Sequence, residues 1–183
     1  EEPKEEVKED KLEIQNFNLP EKPILSHGPR EEIQMDLWYL PPDIKNLCEY
    51  KYVIDIVDHF SKWIWSYPVK SKTGHEALKC LKSYIFSFGR VKYLHTDNGL
   101  EFHNYLIDNF CLANDIVHKY SRPYNPKSAG AVEAPHKHNK KLVYDQFYTI
   151  EDDIFSLEDA ILEAIDYHNN NIHESTLFKP VDL

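Results

Sequence analysis

The segment 95–102, with the sequence HTDNGLEF, decides how the rest of this chain is interpreted. The run from Val91 to Thr96 predicts a strand, and Asn98-Gly99 predicts a turn directly after it. Asp97 therefore lies at the carboxyl end of a predicted strand, where open α/β sheets bind their ligands. An ordinary turn also uses Asp-Asn-Gly, so this segment needs support from the rest of the chain.

Two further carboxylates provide that support. Asp36 lies inside a predicted first strand, where an acidic residue is disfavoured. Glu133 opens a predicted helix, and 35 residues lie between it and Asp97. Hard divalent cations bind oxygen ligands, and two such ions can hold the attacking and leaving oxygens of a phosphoryl transfer. We interpret Asp36, Asp97 and Glu133 as one catalytic set that binds two Mg²⁺ or Mn²⁺ ions. The alternative for Asp36 is an edge-strand acid that faces water.

Composition favours one intracellular α/β domain. The chain has 183 residues, of which 42% are hydrophobic, and its 24 aromatic residues allow a real core. No apolar run approaches the roughly 20 residues that a membrane span needs. Three widely spaced cysteines, Cys48, Cys80 and Cys111, predict buried free thiols in a reducing compartment.

The charge is unevenly distributed along the chain. The net charge of −10 argues against a protein that binds nucleic acid over its whole surface. Residues 1–13 have a net charge of −4, whereas residues 119–141 have a net charge of +5. A local basic strip beside a carboxylate site suits a phosphate-backbone substrate, although a solvated helix face would look the same.

Hydrophobic periodicity and turn residues predict the elements of the fold. Residues 1–29 are charged and then proline-rich, which predicts a disordered or extended lead-in before a core domain at 30–183. We expect loops at 41–49 and 121–130, the second of them mobile. Asp58 and Ser61 should bond the backbone of a hairpin turn, and Asp55 is treated as non-catalytic. The predicted strands are 33–40, 50–58, 62–69, 91–96 and 116–119, and the predicted helices are 74–88, 104–114, 131–147 and one capped by Ser156.

The helix predicted from Ala131 combines acid and base on one face. Five residues recur at helical spacing on this face: Glu133, Lys137, Lys140, Lys141 and Tyr144. A metal ligand and phosphate-binding lysines would therefore project from the same face of the helix. His136 and His138 are two residues apart and do not share a face, which argues against a metal pair.

Several motifs in one order carry a resemblance to a known family. TDNG at 96–99 is followed by Glu101-Phe102, PYNPKS at 123–128 and GAVE at 130–133. Weaker matches follow at 167–169, at 173–176 and at Pro180. Over residues 30–183 the chain resembles the catalytic cores of retroviral and gypsy-type retrotransposon integrases, in the DDE recombinase superfamily.

The resemblance implies a fold, an activity and partners. It implies a ribonuclease-H-like α/β fold, with a five-stranded mixed sheet flanked by helices. It also implies 3′-end processing and strand transfer of DNA by a homo-oligomeric nuclear enzyme with two metal ions. By the family match, the candidate DNA contacts are Tyr124, Asn125, Lys127, Lys137 and Lys140.

The chain departs from the family pattern at a few positions. Ala129 stands where retroviral integrases usually carry Gln, Leu177 replaces a common Gly, and Pro135 is tolerable only if its helix begins near Ala131. The zinc module that precedes many integrase cores is absent from this sequence. The acidic balance, Ala129 and Pro135 favour, as the alternative, a host-adopted, weakly active or inactive binding or assembly module, whereas the intact set of three acids favours activity. A nuclease on the same scaffold is a lesser alternative.

Overall fold

The computed structural model describes residues 26–121, 126–149 and 156–183, with side chains from Lys137 onward in the second range. Five strands and five α-helices lie within these ranges. The strands are β1 (Glu32–Tyr39), β2 (Tyr52–Asp58), β3 (Ile64–Val69), β4 (Tyr93–Thr96) and β5 (Val117–Tyr120). The helices are α1 (Pro42–Leu47), α2 (Gly74–Phe88), α3 (Tyr105–Ala113), α4 (Pro126–Thr149) and α5 (Leu157–Asn170), and a 3₁₀ turn follows at Pro180–Asp182.

The strands form one mixed sheet in the order β3-β2-β1-β4-β5. β1, β2 and β3 pair antiparallel, whereas β4 pairs parallel with both β1 and β5. Ile33, Met35 and Leu94 face a core built with α2 and α3. Trp38 and Leu40 face a second core built with α1, α4 and α5. The predicted five-stranded mixed sheet with helices on both faces is therefore confirmed.

Local capping chemistry explains where the predicted helices begin and end. Thr73 and Asn104 accept hydrogen bonds from the first turns of α2 and α3, and Ser156 forms a reciprocal capping box with Asp159 in α5. Gly89 ends α2 with φ 99°, a left-handed conformation that favours glycine.

The hairpin turn between β2 and β3 is held as predicted. Asp58 Oδ1 accepts from Phe60 N at 2.8 Å, and Ser61 Oγ accepts from Trp63 N at 3.1 Å. Asp58 Oδ2 also accepts from Arg30 N at 2.5 Å, which ties the turn to the segment before β1. Both polar residues therefore serve the backbone of the hairpin.

The predicted loop at 41–49 is wrong, because Pro42–Leu47 forms α1. Pro42 occupies the first turn, where its missing N–H costs nothing, and Ile44 is fully buried in the second core. Six residues are too few to show a clear helical period in the sequence. The helix is instead stabilised by burial of the Ile44 side chain.

The predicted start of α4 at Ala131 is also wrong. The helix begins at Pro126, so residues 126–130 belong to it, whereas 122–125 lie outside the described residues. Pro135 then occupies the tenth helical position instead of the first turn, and the helix lacks one interior N–H donor there. Proline favours the first turn of a helix, and Pro126 supplies that start.

The predictions for the cysteines, the lead-in and membrane-spanning segments can be compared with the described residues. Cys80 and Cys111 are buried free thiols, and Cys48 is a half-buried one. Most of the predicted lead-in, residues 1–25, lies outside the described residues, so the domain boundary near Arg30 stays a prediction. No helix in the described ranges combines the length and apolarity needed to cross a bilayer.

Candidate functional site

The parallel pairing of β1 with β4 concerns the strands that lead to Asp36 and Asp97. The pairing register runs from Glu32 opposite Tyr93 to Gln34 opposite His95. Asp36 lies two residues further along β1, and Asp97 lies two residues after His95, just beyond the end of β4. Extending the register by two residues predicts that the two aspartates lie on one face, on chains about 4.8 Å apart.

Asp97 lies at the exposed end of β4, where the loop is fixed by its own polar groups. Its Oδ1 accepts from Gly99 N at 2.8 Å, and Asn98 Nδ2 donates to Ser121 O at 2.8 Å. Ser121 N in turn donates to Thr96 O at 2.9 Å. The backbone on both sides of Asp97 is therefore held to the end of β5.

Asp36 is half-buried, with its Oδ1 accepting from Leu37 N at 2.9 Å. Directly across the β1–β2 pairing lies Asp55, which is fully buried. Three donors hold the Asp55 carboxylate: Trp38 Nε1 at 3.0 Å, Ser66 Oγ at 2.6 Å and Asn139 Nδ2 at 3.2 Å. Asp55 therefore serves the core, as its treatment as non-catalytic requires.

Side chains of α4 contact the last residues of β1 and the start of α1. Lys140 Nζ lies 5.5 Å from the Trp38 ring centroid, and Tyr144 packs edge-on against that ring at 5.7 Å. One turn later, Tyr148 donates a hydrogen bond to Asp43 at the start of α1. Glu133 lies on α4 seven residues before Lys140, and its side chain lies outside the description.

The basic strip divides into groups with different roles. Lys119 donates to Glu32 at 2.8 Å. Burial alone would raise the pKa of Glu32, but the hydrogen bonds from Lys119 and His95 outweigh burial, so the pKa is lowered. Lys137 and Lys141 are exposed on α4, and Lys140 is half-buried against aromatic rings. Of the other candidate DNA contacts, Tyr124 and Asn125 lie outside the described residues, and the Lys127 side chain is likewise undescribed.

Among the described side chains, no group of three or more His, Cys, Asp or Glu residues is arranged to hold a metal. Glu133, the third proposed ligand, is outside that set. His138 is exposed, and its ring lies 5.9 Å from that of His168.

Sequence reasoning missed a polar network beside Asp97. His118 bonds Asp108 Oδ1 through Nδ1 at 2.9 Å and Thr96 Oγ1 through Nε2 at 2.9 Å. The network forms only when β4 pairs with β5 and α3 packs beside them, so no local sequence pattern predicts it. Asn139, which ties α4 to Asp55, was missed for the same reason.

Comparison with known proteins decides the family. A family model described as "Integrase core domain" matches residues 26–126, more than half of the chain. The chain belongs to the integrase core domain family. This match covers Asp36 and Asp97 and ends before Glu133.

The integrase core also resembles individual polyproteins. It is 32% identical over 118 residues to the Retrovirus-related Pol polyprotein from transposon RE2 of Arabidopsis thaliana, covering 63% of this chain. It is 31% identical over 137 residues to the Gag-Pro-Pol polyprotein of Sheep pulmonary adenomatosis virus, covering 72% of this chain. The match spans only 8% of each polyprotein.

Solved structures share the architecture of this integrase core. The catalytic core domain of BIV integrase matches with a TM-score of 0.67 and 23% identity, over 84% of this chain and 92% of that one. A chain of the simian T-cell lymphotropic virus intasome in complex with PP2A regulatory subunit B56 gamma matches with a TM-score of 0.75 and 24% identity, over 88% of this chain and 56% of that one. Likeness at these identities concerns the fold, and it confirms the ribonuclease-H-like class.

Proposed function

We propose that this integrase core catalyses two-metal processing and strand transfer of DNA 3′ ends. The observation that supports the proposal is the parallel pairing of β1 with β4 up to Gln34 and His95, each two residues before Asp36 and Asp97. The fold alone hosts many activities, so the carboxylate pair and its neighbours must carry the assignment.

The donor set fits a hard divalent cation. Asp36 on β1 and Asp97 just beyond β4 would supply carboxylate oxygens, and Asp97 is exposed where an ion and a substrate can reach it. Glu133 would complete the set from α4. When bound, a pair of Mg²⁺ or Mn²⁺ ions supplies activation of the attacking oxygen and stabilisation of the leaving 3′-oxygen.

The chain's own residues would orient the DNA around these carboxylates. Lys137 and Lys141 place exposed ammonium groups on α4, the helix that carries Glu133. Lysines pair with backbone phosphates irrespective of base, so they would fix the path of a DNA end. The half-buried Lys140, held over the Trp38 ring, would present its charge from a more rigid position.

DNA ends and target DNA are the proposed substrates, and a homo-oligomer in the nucleus is the proposed working form. Support for an assembly comes from the simian T-cell lymphotropic virus chain, whose structure is that of an intasome. The 26–126 family match and the lysines of α4 support DNA as the partner.

The test is a joining assay with a labelled DNA end, run with and without Mg²⁺ or Mn²⁺. We expect metal-dependent joining by the natural chain, and a loss of about a hundredfold or more in Asp97→Asn and Glu133→Gln, because each removes a proposed metal ligand. Asp166→Asn is the matched control, since Asp166 is an exposed acid on α5.

Undiminished joining by Asp97→Asn or Glu133→Gln would refute the assignment of these residues. Cutting without joining would identify a nuclease on the same scaffold. DNA binding without either reaction would identify the host-adopted binding module.

A further inference from the structure

Three elements converge on the residue that precedes Asp97. Asp108 comes from α3, His118 from β5 and Thr96 from the end of β4. The His118 imidazole bridges the other two, with Nδ1 2.9 Å from Asp108 Oδ1 and Nε2 2.9 Å from Thr96 Oγ1. The His118 side chain is 5% exposed and Thr96 is 1% exposed, so the bond between them is shielded from water, whereas the Asp108 side chain is 47% exposed.

The hydrogens in this bridge can be placed. Asp108 Oδ1 also accepts from Tyr120 O–H at 2.7 Å, and these bonds outweigh burial and lower the pKa of Asp108. Burial lowers the pKa of His118, which favours the neutral ring. An ionised Asp108 requires the hydrogen on Nδ1, so Nε2 is left as an acceptor for the Thr96 hydroxyl.

The same hydroxyl touches the main chain of Asp97. Thr96 Oγ1 also donates towards Asp97 O at 3.0 Å, so the single hydroxyl hydrogen is shared between this carbonyl and His118 Nε2. Pairing of β4 with β1 is recorded only as far as His95, whereas pairing with β5 continues to Thr96. The orientation of Asp97 is therefore set mainly from the β5 side, where His118 lies.

A Thr-His-Asp chain could also suggest nucleophilic catalysis. A nucleophile must meet its substrate, however, and the Thr96 hydroxyl is enclosed by β4, His118 and the Asp97 carbonyl. The geometry therefore favours support of the neighbouring carboxylate over attack on a substrate.

We propose that Asp108, His118 and Thr96 are positioning residues that hold Asp97 in the orientation needed for divalent-cation binding. The Tyr120 ring packs against His118, with the ring centroids 4.2 Å apart and the planes tilted by 43°. The inference rests on the proposed function, because it assigns these residues to the proposed metal site. Partners that orient metal ligands are worth about 10–100-fold in metal affinity or activity.

The experiment is calorimetric titration of the whole chain with Mn²⁺ alone. Thr96→Val keeps the shape of the side chain and removes the hydroxyl, so we expect Mn²⁺ affinity to fall about tenfold. Thr96→Ser keeps the hydroxyl and should retain the natural affinity. His118→Phe keeps an aromatic ring against Tyr120 without the nitrogens, and it should match Thr96→Val.

The double variant Thr96→Val with His118→Phe should bind Mn²⁺ no more weakly than either single variant, because both break one chain of contacts. Unchanged affinity in Thr96→Val, or equal losses in Thr96→Ser and Thr96→Val, would overturn the inference. If Thr96→Val does not fold, His118→Phe decides by the same comparison with the natural chain. Failure of the natural chain to bind Mn²⁺, or unchanged binding by Asp97→Asn, would instead refute the proposed function.

Discussion

At the scale of single residues, Asn139 explains how α4 is aligned with the sheet. Its amide is fully buried and Nδ2 donates to Asp55 Oδ1 at 3.2 Å and to Ser66 Oγ at 2.9 Å. A buried polar group is costly unless it is paired, so the two bonds of Nδ2 favour this docking of α4, whereas Asn139 Oδ1 has no hydrogen-bond partner among the described residues.

Asn139→Ala should therefore destabilise the fold by about 1–3 kcal/mol, because it leaves buried polar partners with fewer hydrogen bonds. Urea unfolding measures this loss. Asn170→Ala is the control, since Asn170 is an exposed α5 residue bonded within its own helix, and surface changes usually stay within about 0.5 kcal/mol. Equal effects of the two substitutions would show that the buried network does not anchor α4.

At the scale of elements, helix α5 is hydrogen-bonded to the edge strand β3 and the turn before it, through the Asn169 amide and the His168 imidazole. Asn169 bonds both Ile64 N and Ile64 O at 3.0 Å, so one amide satisfies a backbone donor and acceptor of the sheet edge. His168 Nε2 lies 3.0 Å from Lys62 O in the preceding turn. Burial, followed by the neighbouring His173 and His138, lowers the pKa of His168 to about 4.

This pKa predicts a pH-dependent loss of stability. The unfolded chain, with a histidine pKa near 6.5, binds the proton before the folded chain does, so stability falls between pH 6.5 and pH 4. The contribution of His168 over that window is about 3 kcal/mol. Urea unfolding should show this extra loss in the natural chain and not in His168→Gln. Parallel pH profiles for the two chains would contradict it.

The elements also show which parts of the fold could be predicted from the sequence. Helices α2, α3 and α5 begin at local capping residues, and Gly89 ends α2, so short-range chemistry was sufficient. Helix α1 depends on burial of Ile44, which no local pattern shows, and α4 begins at Pro126 with Pro135 in its interior, against the local preference of proline for a first turn. The catalytic set of Asp36, Asp97 and Glu133 stays a prediction, whereas the Asn139 and His118 contacts needed the three-dimensional neighbours.

At the scale of the whole molecule, exposed lysines lie on both faces of the sheet. The chain carries a net charge of −10, yet exposed lysines of α4 lie on the face that carries the candidate site. Lys82 is an exposed lysine of α2, which packs on the opposite face of the sheet. Because surface charges are screened within about 8–10 Å at physiological ionic strength, local placement matters more than net charge.

Lys137→Glu should therefore weaken DNA binding by severalfold, and the loss should shrink as salt is raised, because a phosphate contact is replaced by repulsion. Fluorescence anisotropy with a labelled duplex measures this affinity. Lys82→Glu makes the same change in net charge and should leave binding unaltered. Equal losses in both variants would show that net charge, and not the α4 face, governs binding.

The most direct test of the central claim is a crystal structure of the chain soaked in Mn²⁺, with anomalous scattering used to locate the ions. The account predicts Mn²⁺ bound between the carboxylates of Asp36 and Asp97, with Glu133 completing the coordination from α4. An ordered Glu133 whose carboxylate points away from both aspartates, with no Mn²⁺ at Asp36 or Asp97, would contradict the account.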